Sequence, residues 1–89
     1  MNNYKDEYEF LSDKIDKNES VNKLADDAYD NGLNREKVLS ILQKLMIDGY
    51  IIVQDAPGIY QGQGSNGKMF LKKDAKLIRE AIEAYKKQE

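Results

Sequence analysis

The sequence predicts a single mainly helical α+β domain over residues 1–89: a three-helix core, one β-hairpin and an extra C-terminal helix. Three observations lead there. Apolar residues recur at helical spacing in four segments. The period changes at Tyr50-Ile51-Ile52-Val53-Gln54, a β-rich run bounded by turn residues. Eighty-nine residues are enough for one core and too few for two.

The first helix is expected at about residues 3–16. Tyr4, Tyr8, Leu11 and Ile15 are spaced four, three and four apart and make one apolar stripe. Phe10 lies far around the helix from that stripe, so it either meets a second element or is exposed. A second helix is expected at about 21–30, where Val21, Leu24, Ala25 and Ala28 share a face. Asn31-Gly32 ends it, because glycine accepts the left-handed conformation of helix termini, and Leu33 then packs back on the helix. Asn34 is a good cap for a third helix at about 35–48, in which Val38, Ile41, Leu42 and Leu45 give the i, i+3, i+4, i+7 signature. Gly49 stops it. Two helices joined by a short glycine-containing turn make a helix-turn-helix.

A hairpin, or wing, is expected at about 50–72. Its second strand is either Ile59-Tyr60-Gln61, giving a tight turn, or Lys68-Met69-Phe70-Leu71-Lys72, giving a long one, or both in a three-stranded sheet. The second choice is slightly favoured, since Met69–Leu71 otherwise has no role. Asp74 caps a last helix at about 75–87, with Leu77, Ile78, Ala81, Ile82 and Tyr85 as its apolar face. That helix packs on the first or pairs with a second copy. Tyr4, Tyr8, Tyr29 and Tyr85 are expected at the core edge, with an apolar body and a wet hydroxyl.

Composition narrows the function. There is no cysteine and no histidine, which removes thiolate metal sites, the commonest metal ligand and the commonest general base. The expectation is a protein that is not an enzyme and carries no metal or cofactor. No apolar run approaches the ~20 residues of a membrane span, and the N-terminus is charged, so a soluble cytoplasmic chain with no membrane partner is expected. Starting at Met1, it reads as a complete short protein. Net charge is −2, but it is unevenly distributed: residues 1–66 hold seven Lys/Arg against twelve Asp/Glu, and residues 67–89 hold seven against four. The acidic set at the start has no calcium-loop spacing and serves solubility.

The order helix, helix-turn-helix, glycine-started hairpin resembles the winged helix-turn-helix superfamily. Residues 21–61 look most like the C-terminal winged-helix domain of archaeal minichromosome-maintenance helicases. The residues that carry this are Val21, Leu24 and Ala28, Gly32-Leu33, Val38, Leu42 and Leu45, then Gly49-Tyr50-Ile51-Ile52 leading to Pro57-Gly58-Ile59-Tyr60. The later segment also resembles small winged-helix repressors with a dimerising terminal helix. These resemblances imply a DNA-binding protein of transcription regulation or DNA replication.

The DNA-contacting residues expected are Arg35 and Lys37 at the start of the third helix, and Ser40, Gln43 and Lys44 on its outward face. Lys68, Lys72 and Lys73 belong to the wing. Gln43 suits adenine, Ser40 and Lys44 reach bases or phosphates, and the wing lysines, with Lys76 and Arg79, neutralise backbone phosphates of double-stranded DNA. Glu36 on the same face opposes this, and Ile47 points to a protein partner. A protein-interaction domain or a homodimer through the C-terminal helix is the alternative. Gly62, Gly64, Gly67 and Lys68 fit two phosphate-loop patterns, but Met69 stands where magnesium binding needs Ser or Thr, and a strand rather than a helix follows. This loop therefore reads as a mobile polar wing tip.

Overall fold

The computed structural model describes residues 4–55 and 65–89. Among these, four α-helices and a two-stranded antiparallel hairpin surround one core. The helices are α1 (Glu7–Lys14), α2 (Val21–Asp30), α3 (Arg35–Ile47) and α4 (Ala75–Lys87). The strands are β1 (Ile51–Val53) and β2 (Met69–Leu71).

The first helix starts four residues later than its apolar spacing suggested. Asp6 is the reason: it is extended, and its carboxylate accepts from the Glu9 N–H at 2.9 Å, a side-chain cap that fixes the first turn. Tyr4 lies before the helix. Its ring meets Phe10 edge-on at 5.2 Å, and its hydroxyl donates to Asp13. Phe10, the residue off the stripe, is fully buried. It meets other elements because α1 packs against α2, α3 and α4 at once. After a 3-10 turn, Ile15–Lys17, the chain leaves through Asn18 in the left-handed region.

Ser20 caps α2 by accepting from the Lys23 N–H at 3.1 Å. Gly32, at φ +81°, makes the turn that ends α2, and Leu33 folds back, buried, with its N–H on the Ala28 carbonyl at 2.9 Å. Asn34 then caps α3 through the Lys37 N–H. The core joins Leu24, Ile41, Leu42 and Leu45 to Phe10, Leu11, Ile78 and Ile82. Of the four tyrosines expected at the core edge, Tyr8 and Tyr85 are buried and Tyr4 is half-buried. Tyr29 departs from the expectation: it is 69% exposed, one turn beyond Ala25 at the C-terminal end of α2.

The hairpin pairs Ile51 with Leu71, Ile52 with Phe70 and Val53 with Met69. The second strand is thus the later candidate; Ile59-Tyr60-Gln61 lies outside the described residues. Strand β2 is also tied to the chain just before α2. Ser20 forms an antiparallel bridge with Lys68, and the Met69 N–H reaches the Glu19 carbonyl at 3.3 Å. The α4 helix packs on α1 and α3. Asp74 stands at its cap position, but the side chain makes no capping bond; the Asp74 carbonyl accepts from the Ile78 N–H.

Candidate nucleic-acid interface

At 100° per residue, Glu36, Ser40, Gln43 and Ile47 fall within about 60° of one another on α3. This is the outward face: Glu36, Ser40 and Ile47 are exposed and Gln43 is half-buried. The two side chains expected to read bases therefore sit where the sequence placed them. The cations around them do not all remain free. Arg35 turns toward α2, its Nε 3.0 Å from an Asp26 oxygen and its guanidinium 3.3 Å from the Asn22 side-chain oxygen. Lys37 pairs with Glu89 at the C-terminus and lies 5.1 Å from the centre of the Tyr8 ring. Lys44, exposed, lies 5.8 Å from the centre of the Tyr85 ring. Arg35 and Lys37 are thus both engaged by acids of the chain itself. Both face acids across an element boundary, a pairing that sequence spacing does not reveal.

The hairpin lysines differ. Lys68, Lys72, Lys73 and Lys76 are all exposed, and none has an ion pair among the described residues. Arg79 leaves this cluster: its Nε donates to the Ser12 carbonyl at 2.7 Å and its guanidinium pairs with Asp16 at 3.3 Å.

Asn22, at the start of α2, joins the two regions. Its amide donates to the Asn66 side-chain oxygen at 2.7 Å, while its own oxygen accepts from Arg35. The Asn22 N–H also donates to the Ser65 carbonyl at 2.9 Å. The α3 N-terminus and the chain entering β2 therefore meet at one end of the molecule.

The glycine-rich loop was expected to be a mobile tip. Gly62, Gln63 and Gly64 lie outside the described residues. The remainder is built in. Ser65 is buried; its hydroxyl donates to the Gln54 carbonyl at 2.7 Å and accepts from the Gly67 N–H at 3.0 Å. A Cβ on Gly67 would stand 2.3 Å from the Gln54 carbonyl oxygen, so only glycine fits. The Gly67 N–H, already used by Ser65, is not aimed at a phosphate. Sequence reasoning missed Asn22, Ser65 and Asn66. The one available signal was the run of small polar residues after the glycines.

Two tyrosines and two acids show how the charges settle. Burial first, then the Asp48 carboxylate that accepts the Tyr85 hydroxyl, raise Tyr85 well above the ordinary tyrosine range. Burial and the Glu89 carboxylate do the same to Tyr8. For Asp6, burial pushes upward, but the Glu9 N–H and Lys86 outweigh it and hold the carboxyl low. Glu89 is held low by Lys37.

Among the described residues, no group of three or more His, Cys, Asp or Glu side chains is arranged to hold a metal, and no helix is long and apolar enough to cross a membrane. No family model matches this chain, and comparisons with curated proteins and with solved structures found no match.

Proposed function

We propose that this chain is a winged-helix, non-enzymatic DNA-binding domain of the cytoplasm, acting in transcription regulation or DNA replication. In this reading α2 and α3 are the helix-turn-helix. Ser40 and Gln43 read base edges in the major groove, Lys44 reaches a phosphate, and Lys68, Lys72 and Lys73 grip the backbone. One observation carries it: the Arg35–Asn22–Asn66 relay draws the start of α3 and the chain entering β2 to the same end of the molecule. The Ser20–Lys68 bridge supports it, because it adds a strand residue between α1 and α2 to the hairpin. Arg35 and Lys37 serve here as positioning residues whose exposed ion pairs open at little cost when a phosphate approaches.

Titration of labelled duplexes against salt tests the reading. Replacing Lys68, Lys72 and Lys73 by Gln lowers the log–log salt slope by about 2–3, since each neutralised phosphate contributes about 0.9. Ser40→Ala and Gln43→Ala shift sequence preference with little change in slope. Duplexes that stay unbound at low salt rule the reading out.

A second reading has its own support. Ile47 is 62% exposed on the same stripe as Glu36, and no cation stands within that stripe. A protein partner docking on α3 would use both, and the net charge of −2 suits it.

A further inference from the structure

We infer that the outer face of the hairpin is a separate binding platform for single-stranded nucleic acid. The register sets the face. Beyond the central pair Ile52–Phe70, the Lys72 N–H donates to the Tyr50 carbonyl at 2.9 Å and the Gln54 N–H to the Lys68 carbonyl at 3.2 Å. Alternation turns Ile51, Val53 and Met69 into the core. Three cross-strand rows are left outside: Tyr50 beside Lys72, Ile52 beside Phe70, and Gln54 beside Lys68. Ile52 is 52% exposed and Phe70 42%.

The chemistry of these rows fits an unpaired strand. A flat aromatic ring at the centre offers a stacking surface to any base, and a lysine stands one row away on either side for the flanking phosphates. Rows are about 6.7 Å apart, which puts the two lysine Cα atoms about 13 Å apart along β2. No acid occupies the three rows; Asp55 and Asp74 lie just beyond them. The face also continues. Tyr50 walls a groove of about 450 Å³ along α4, lined by Leu77, Ala81 and Ala84 with Lys73 and Glu80. A strand leaving Phe70 past Tyr50 finds there an apolar bed for its next base, with one cation, Lys73, and one acid, Glu80, in its lining.

The duplex reading uses the α3 face with Lys68, Lys72 and Lys73, so the two readings share Lys68 and Lys72 and part at Phe70. Fluorescence polarisation of the full chain with a labelled 15-mer of thymidine and with a 15-base-pair duplex separates them. The 15-mer binds; Phe70→Ala weakens it about tenfold, within the range for loss of one base stack, and leaves duplex affinity within about twofold. Phe70→Trp keeps the affinity, and Lys68→Gln with Lys72→Gln lowers the single-strand salt slope by about 1.4. Circular dichroism melting confirms that the variants fold. A 15-mer unbound at low salt overturns the inference. So does an affinity that Phe70→Ala leaves unchanged, or equal losses for single strand and duplex. An unbound duplex with a bound 15-mer removes the duplex reading and leaves this one standing.

Discussion

The Asn22 amide reaches the side chain of Asn66 at 2.7 Å across 44 residues of sequence, while its oxygen holds Arg35 at 3.3 Å. One side chain thus couples α2, α3 and the hairpin. Asn22→Ala removes both bonds and leaves the backbone bond to Ser65 intact. Each is partly exposed, so the expected loss is about 1 kcal/mol in urea unfolding. For a domain of this size that lowers the melting temperature by about 4–8 °C.

Gly67→Ala forces a methyl group into the Gln54 backbone at 2.3–2.6 Å. A backbone neighbour cannot rotate away as a side chain does. Destabilisation of about 1–3 kcal/mol is expected, with amide shifts concentrated at Gln54, Ser65 and Lys68 in NMR spectra. A variant as stable as the parent would show that the loop relaxes freely.

Phe10→Ala deletes a fully buried ring, with an expected cost of about 3–5 kcal/mol by chemical denaturation. That is a large part of the stability of a domain this small. Ile47→Ala, at a site 62% exposed, is expected to change stability by less than about 0.5 kcal/mol.

Stability depends on pH at both ends. Tyr8 and Tyr85 hold their protons above the ordinary tyrosine value of about 10. Past that value the unfolded chain loses protons that the folded one keeps. Their contribution is therefore complete below about pH 10 and falls as pH climbs through the folded values. Tyr85→Phe costs about 1–2 kcal/mol at neutral pH, through the bond to Asp48, and flattens the alkaline fall. Asp6 and Glu89 act oppositely. Their carboxyls are held low, so their stabilisation is complete above about pH 4 and is lost on acidification. Unfolding curves between pH 2 and 12 check both limbs.

Local signals made much of the fold legible. Asn34 and Gly49 bracket α3, and the actual helix ends one residue from the expected boundary. Leu33 folded back as its position after Gly32 suggested. The start of α1 was misplaced because Tyr4 shares the helical spacing while Asp6 decides the geometry. Phe10 stayed undecided because apolar spacing shows one buried stripe, whereas α1 is covered on more than one side. At the site, Ser40 and Gln43 were legible as the far side of an amphipathic helix. The partners of Arg35, Lys37 and Arg79 were not. Asp26, Glu89 and Asp16 reach them only after the chain has folded, and no local periodicity encodes such a meeting.

The clasp between Glu19-Ser20 and Lys68-Met69 has an entropic meaning. Residues 48 to 50 positions apart must meet to close it, a longer loop than the one that pairs β1 with β2, so its closure costs more chain entropy. Once closed, the spacing of Lys68 and Lys72 from α2 is fixed. For the ligands proposed above, the entropy of ordering the backbone that carries these lysines would then belong to folding instead of association.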